Sequence, residues 1–200
     1  MNILNKIIRY KKNEIDYLKL NYSTSRLESS SFFERETISL KNKLISSDSG
    51  IIAEHKRKSP SKDIINNNLK IQDVIQGYQD AGVCGISVLT DLDFFGGTND
   101  DLKITREIFE GPILRKEFIL DEFQIIESKS LGADVILLIA SVLTKQEIFK
   151  LSKLAKELNL EVLAEVHNEN ELDKVLNPYI DLIGVNNRDL KIFKTDINIS

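Results

Sequence analysis

Residues 50–62, Gly50-Ile51-Ile52-Ala53-Glu54-His55-Lys56-Arg57-Lys58-Ser59-Pro60-Ser61-Lys62, decide the architecture. An apolar run closes on an acid and a base two residues apart, and Ser59-Pro60 follows at once. Read as a strand over Ile51 to Lys56, side chains alternate between two faces, so Glu54 and Lys56 share one while Ala53 and His55 share the other. Pro60 lacks an amide donor and fixes its own φ. It ends the strand and leaves the charged pair at the carboxyl end, where open α/β and barrel folds bind ligands. An acid and a base at this spacing more often form a solvent-facing pair than a site. Gly50-Ile51-Ile52-Ala53 argues otherwise, because a strand apolar on both faces belongs to a parallel sheet covered on each side, and charges ending such a strand need a reason to be there.

Beyond this stretch, short apolar runs alternate with longer amphipathic segments, the pattern of βαβ units. The strands expected are Ile51 to Lys56, Val83 to Leu89, Ile113 to Lys116, Val135 to Ile139, Glu161 to Val166 and Leu182 to Val185. Between them lie helices over Ile71 to Ala81, Asp101 to Phe109, Glu122 to Leu131, Thr144 to Leu158 and Glu169 to Leu176. Ala81-Gly82, Leu131-Gly132 and Leu158-Asn159 supply the residue types that close helices. A repeat of roughly 20 to 35 residues per strand-plus-helix, with a charge at several strand ends, favours an α/β barrel of the TIM (βα)8 type over an open sheet. A doubly wound sheet is the alternative, but no Gly-x-Gly-x-x-Gly or Walker-type loop follows any strand. Gly96-Gly97, beside Phe94-Phe95, reads as a tight turn and not as a phosphate cradle.

The first 49 residues are mostly helical and polar, so the expected organisation is a helical extension over 1–49 packed on barrel units over 50–200. Ile3, Leu4, Ile7, Ile8, Ile15 and Leu18 recur at roughly helical spacing among lysines; Glu14 and Asp16 interrupt the basic face, which favours a helix docked on its own domain over one lying on a membrane. Hydrophobic residues at 42% and charged residues at 29% fit one soluble globular domain. With 27 Lys and Arg dispersed against 31 Asp and Glu, the net charge of −4 gives no footprint for nucleic acid and points to a small-molecule ligand. Cys84, the single cysteine, lies in the apolar stretch Val83 to Leu89; it excludes an intramolecular disulfide and reads as core packing, and no Cys/His cluster has zinc spacing. No apolar run approaches the roughly 18 residues of a membrane span, and Met1-Asn2-Ile3-Leu4-Asn5-Lys6 lacks the features of a secretory signal, so the expected location is cytoplasmic.

Other strand ends repeat the motif of the first. Leu114-Arg115-Lys116-Glu117-Phe118 sends Lys116 and Phe118 to one side, Leu163-Ala164-Glu165-Val166-His167 leaves Glu165 at its tip, and Ile183-Gly184-Val185-Asn186-Asn187-Arg188 pairs Asn186 with Arg188. In a barrel these converge. Two lysines, two glutamates, an amide and an arginine around one mouth can bind anions and supply an acid and a base, with crowding and desolvation expected to move Lys and Glu pKa values toward neutrality. A ring of purely structural ion pairs is the plainer reading. It does not explain why each charge occupies an equivalent point of a different unit.

These segments carry a resemblance. Residues 51–62, Ser87-Val88-Leu89-Thr90 with Phe94-Phe95-Gly96-Gly97, Leu114 to Phe118, Gly132-Ala133-Asp134 with Leu137-Leu138-Ile139, Glu165-Val166-His167 and Ile183 to Leu190 resemble, in order, the motifs of indole-3-glycerol-phosphate synthase. The resemblance runs from the first helix to the last residue. It implies a carbon–carbon lyase of tryptophan biosynthesis. Such an enzyme converts 1-(2-carboxyphenylamino)-1-deoxyribulose 5-phosphate, a phosphosugar joined to anthranilate, to indole-3-glycerol phosphate with loss of carbon dioxide and water. It implies no cofactor and no metal, and it leaves room for association with other tryptophan-pathway enzymes. By the same resemblance, Lys116 is the general acid on the ribulose carbonyl, and Glu165 handles protons in the later dehydration. Lys56 pairs with the substrate carboxylate and shares acid duty, with Glu54 beside it. Ser59 and Pro60 flank the ligand, Pro60, Phe95 and Phe118 pack the anthranilate ring, Asn186 holds sugar hydroxyls and Arg188 supports the site. Phosphoribosylanthranilate isomerase, a neighbouring phosphate-binding barrel, fits less well because its acid–base pair is Cys/Asp where this first strand offers Glu54 and Lys56.

Asp63 stands where the family usually has glycine after Ser-Pro-Ser-Lys, which bears on the mobility of this loop because a non-glycine adopts positive φ less readily. Glu117 replaces a usual Asp, and His55 an apolar residue, both expected off the inward face. A complete barrel of this type has about 250 residues, so roughly 50 are expected to be missing after Ser200, namely two βα units and the phosphate-binding loops they usually build. The expectation is an incomplete barrel of six strands, with strands one and six as exposed edges. A chain of that kind could alternatively be an inactive fragment that needs a partner to supply the missing strands.

Overall fold

The computed structural model describes residues 3–66, 68–189 and 194–195. Leu190, the end of the sixth motif, and Met1-Asn2 at the start lie outside the described residues. Three helices come first: α1 (Ile3–Asn21), α2 (Thr24–Glu28) and α3 (Leu40–Ile45). Strand and helix then alternate through β1 (Ile52–His55), α4 (Ile71–Asp80), β2 (Gly85–Leu89), the short α5 (Leu92–Phe95), α6 (Asn99–Ile108) and β3 (Ile113–Lys116). They continue through α7 (Glu122–Ser130), β4 (Val135–Ile139), α8 (Lys145–Glu157), β5 (Glu161–Val166), α9 (Glu169–Val175) and β6 (Leu182–Val185), followed by the two-residue strands β7 (Arg188–Asp189) and β8 (Lys194–Thr195). Four of the six expected strands begin and end where the sequence places them. The first two are shorter at their starts, and Lys56 lies just past the end of β1.

Strands β1 to β6 pair in sequence order, every pair parallel, forming the wall of an incomplete α/β barrel of the TIM type. β4 shows why the runs are apolar throughout. All five of its residues are buried, Val135, Leu137 and Ile139 in one cluster with Leu4, Ile7 and Leu40, and Ile136 and Leu138 in another with Ile148, Leu151 and Val162. Each such side chain contributes about 1.5–3 kcal/mol. Three helices start on reciprocal capping boxes, Thr98, Asp121 and Thr144 each pairing with the residue three further on.

The aminoterminal helices cover the inside of the sheet, α1 toward the carboxyl ends of the strands, where it meets Asp91, Phe94 and Glu117, and α3 toward the amino ends. Leu4, Ile7, Lys11 and Ile15 form the buried stripe of α1, and Leu40 of α3 packs against Leu114 and Val135. At the amino ends of the strands Asp134 is fully buried and accepts from four donors: Arg35 Nη2 at 2.6 Å, the Ile38 amide at 2.8 Å, Arg106 Nη1 at 2.8 Å and the Ile113 amide at 2.8 Å. Glu161 receives the Ser39 hydroxyl and, at 3.0 Å, the Lys41 amide, which fixes α3 to the start of β5.

Gly96-Gly97 is a turn with a structural task. Gly96 closes α5 in the left-handed conformation (φ 70°), and a Cβ on Gly97 would collide with the carbonyl of Leu89, so β2 and the chain after α5 can touch only through glycine. Asp63 does not adopt positive φ; among the described non-glycine residues only Asn159, which follows α8, does so, and the loop after β1 is therefore built without strain at Asp63. Cys84 is buried and free. Among the described residues no helix is long and apolar enough to cross a membrane.

Candidate active site

The two-residue period of the strands, together with the residues that follow them, brings Glu54, Lys56, Ser87, Leu89, Lys116, Phe118, Leu163, Glu165 and Asn186 into the wall of one cavity of about 500 Å³ at the carboxyl ends. Glu54 stands at its centre. Its Oε1 meets Lys56 Nζ at 2.7 Å, and its Oε2 accepts from Ser87 Oγ at 3.0 Å and lies 3.9 Å from Lys116 Nζ. Lys116 Nζ reaches Glu165 Oε2 at 3.3 Å, and Asn186 Nδ2 donates to Glu165 Oε1 at 2.9 Å. A continuous chain of charges thus runs from β1 across β3 and β5 to the residue after β6.

The protonation states follow from this spacing, and they correct the expected drift toward neutrality. Burial alone would raise the Glu54 carboxyl, but the ammonium groups of Lys116 and Lys56 and the Ser87 hydroxyl outweigh it and hold it below the usual carboxylate range. For Lys116 burial lowers the pKa, and the carboxylates of Glu165 and Glu54 more than reverse this, leaving it above the ordinary lysine value. Opposite charges within about 4 Å defeat desolvation here. At neutral pH the site holds an ionised Glu54 beside a protonated Lys116.

Phe95 and Phe118 face each other across the apolar side of the cavity with ring centroids 6.1 Å apart. Ser59 is in the wall, held in a tight turn by reciprocal backbone bonds of 2.9 Å to Lys62, whereas neighbouring Pro60 does not reach the wall. Arg188 lines the mouth, its amide bonded to Asn186 Oδ1 at 2.9 Å. His55 turns to the outer face, beside Arg57 and Ile71, as its alternation requires. The side chain of Arg57 makes two 2.7 Å bonds to Asp101, tying the loop after β1 to α6. Glu117, expected off the inward face, also lines the cavity, but its carboxylate is engaged elsewhere: its Oε2 accepts from Thr90 Oγ1 at 2.7 Å and its Oε1 from the Phe118 amide at 2.8 Å.

Ser87 and Asp91 are wall residues to which the sequence reading gave no role. Ser87 was within reach of it, since it is two residues from Leu89 and pairs in register with Glu54. Among the described residues no cluster of three or more His, Cys, Asp or Glu side chains is arranged to hold a metal ion.

A parallel α/β barrel wall whose strand tips turn a protonated lysine, two carboxylates and two phenyl rings into one cavity defines an enzyme of the barrel class. Residues 4–200 match the protein-family profile of indole-3-glycerol phosphate synthase. The indole-3-glycerol phosphate synthase of Bacteroides thetaiotaomicron is 43% identical over 199 residues, covering all of this chain and 76% of the relative. That of Alkaliphilus metalliredigens is 42% identical over 98% of this chain and 76% of its own length, and that of Desulfosudis oleivorans 48% identical over 76% and 57%. The chain belongs to the indole-3-glycerol phosphate synthase family.

Proposed function

We propose that this cavity carries out the decarboxylating ring closure of 1-(2-carboxyphenylamino)-1-deoxyribulose 5-phosphate to indole-3-glycerol phosphate, a carbon–carbon lyase step in tryptophan biosynthesis in the cytoplasm. The observation that carries the reading is Lys116, protonated between Glu54 and Glu165 and next to the paired rings of Phe95 and Phe118. In the first step the ring carbon bearing the carboxylate attacks the ribulose carbonyl carbon, and Lys116 delivers a proton to the carbonyl oxygen as the new C–C bond forms. Positive charge spreads over the ring and its nitrogen, opposite the carboxylates of Glu54 and Glu165. Lys56 pairs with the substrate carboxylate until the bond to it breaks; carbon dioxide departs and its electron pair restores the aromatic ring. The hydroxyl formed from the carbonyl then leaves as water: the adjacent methylene carbon gives up a proton, its C–H electron pair becomes the ring double bond, and Glu165 transfers the proton to the departing oxygen. Asn186 holds sugar hydroxyls, Arg188 supports the mouth, and Ser59 borders the ring packed by Phe95 and Phe118, while Pro60, outside the wall, belongs only to the turn that places Ser59.

A positioned general acid contributes about 10²–10⁴-fold. Formation of indole-3-glycerol phosphate, followed by its indole fluorescence, is expected to fall by that factor in Lys116→Ala. Activity that survives the substitution removes Lys116 from the mechanism.

A further inference from the structure

Lys11 of α1 is a lysine buried to 2% exposure on the apolar stripe of a helix, and it is not part of the cavity wall. Burying an ammonium is costly unless it is fully paired. Its Nζ lies 2.6 Å from Glu14 Oε2, 3.0 Å from Asp91 Oδ2 and 3.1 Å from Glu117 Oε1, the last two carboxylates being as deeply buried as the lysine. Pairing lifts the Lys11 pKa above its ordinary value in spite of burial, so the charge persists at neutral pH.

The two buried carboxylates belong to different loops, and each holds the backbone of an aromatic residue. Asp91 caps α5 by accepting from the Phe94 amide at 2.7 Å, and its carbonyl accepts from the Gly97 amide at 3.0 Å; α5 ends in Phe95. Glu117 accepts from the Phe118 amide at 2.8 Å through Oε1, the oxygen that also meets Lys11. Tyr10, the neighbour of Lys11, packs edge-on against Phe94 at 5.7 Å between centroids. One ammonium therefore joins the segment that carries Phe95 to the segment that carries Phe118, from behind the wall.

We infer that Lys11 is a positioning residue for the aromatic end of the substrate: it sets the separation of the Phe95 and Phe118 rings by drawing Asp91 and Glu117 together. The inference rests on the reading of the cavity given above, in which those rings pack the anthranilate moiety. It requires that loss of Lys11 weaken ligands that carry the ring and spare those that do not, which a general loosening of the fold would not do.

The test compares two ligands on the whole protein: the non-reacting 1-(2-carboxyphenylamino)-1-deoxyribitol 5-phosphate, whose carbonyl is reduced, and ribulose 5-phosphate, which lacks the ring. In Lys11→Met the first is expected to bind about tenfold more weakly, the scale of one lost aromatic contact, while the second stays within about twofold. With the true substrate KM rises while kcat changes little, and Lys11→Arg restores most of the loss. Equal changes for both ligands, or no change for either, overturn the inference. Should Lys11→Met not fold, Asp91→Asn and Glu117→Gln replace it. Each keeps its own backbone hydrogen bond and loses the charge that attracts Lys11; Glu117→Gln also disturbs the bond from the Thr90 hydroxyl, so Asp91→Asn is the cleaner variant. The same selective loss is expected, and its absence is decisive against Lys11. An unsubstituted protein that binds neither ligand defeats the functional reading itself, whereas a wild type that discriminates and variants that do not change the ratio defeat only the role of Lys11.

Discussion

The two ends of the sheet use the same residue types to opposite effect. At the amino ends Asp134 is fully buried and has a donor on every side: two arginines and two backbone amides fill its lone pairs. At the carboxyl ends Glu54, Lys56 and Lys116 are between a quarter and a third exposed, share partners, and border about 500 Å³ of open space. A charge whose bonding capacity is spent inside the protein can only hold the fold; a charge with a free side facing a cavity can meet a ligand. Lys116 and Arg115 repeat the contrast on adjacent residues of β3. Arg115 points outward and is saturated by Thr90, Gln124, Ser128, Asn99 and Glu127, whereas Lys116 points inward and has Glu54 and Glu165 at 3.9 and 3.3 Å.

The contrast is sharpest where one substitution should strike activity and another stability. Lys116→Met is expected to lower indole-3-glycerol phosphate formation by about 10²–10⁴-fold with only a small loss of stability, the share its part-exposed, solvent-screened ion pairs contribute. Asp134→Ala should do the reverse. Two arginines and two amides lose their acceptor in a dry site, which costs about 3–5 kcal/mol in denaturant unfolding, with kcat per folded molecule intact. An Asp134 variant as stable as the parent would end the distinction between the two ends.

Glu54→Gln sharpens the electrostatic side. Glu165 and Glu54 together hold the Lys116 pKa up against desolvation, so removing one carboxylate lowers it, and the alkaline limb of the kcat/KM profile should move to lower pH. The linkage has the matching sign. Lys116, raised in the folded state, stabilises the fold fully below the unfolded lysine value of about 10.4, and this is lost as pH rises through the folded value; Glu54, lowered, stabilises above about 4.3, and this is lost as pH falls through its folded value. A limb that stays in place in Glu54→Gln would detach Glu54 from Lys116. The smallest effect is expected outside the cavity: Thr144→Ala opens the capping box of α8 and should cost about 1 kcal/mol of stability without altering activity.

Strand periodicity made most of this legible. A period of two fixes which face carries Glu54, Lys116 and Glu165, and the run Val135 to Ile139 has clear limits because a parallel strand covered on both faces is apolar throughout. Lys11 escaped because a lysine on a helix reads as solvated, although its place four residues from both Ile7 and Ile15 puts it on the buried stripe. Its partners, Asp91 and Glu117, come from loops about 80 and 106 residues away, a pairing that only the closed fold creates. The direction of the Glu54 and Lys116 shifts was likewise beyond the sequence, since burial and opposite charge push against each other and only the distances decide between them.

The most direct test of the central claim, that these strand tips form one catalytic cavity, is a crystal structure of the protein with 1-(2-carboxyphenylamino)-1-deoxyribitol 5-phosphate bound. The account predicts the aromatic ring against Phe95 and Phe118, with Lys116 Nζ about 2.6–3.2 Å from the oxygen that replaces the carbonyl. A ligand seated elsewhere, or one whose reduced carbonyl oxygen faces away from Lys116, would contradict it.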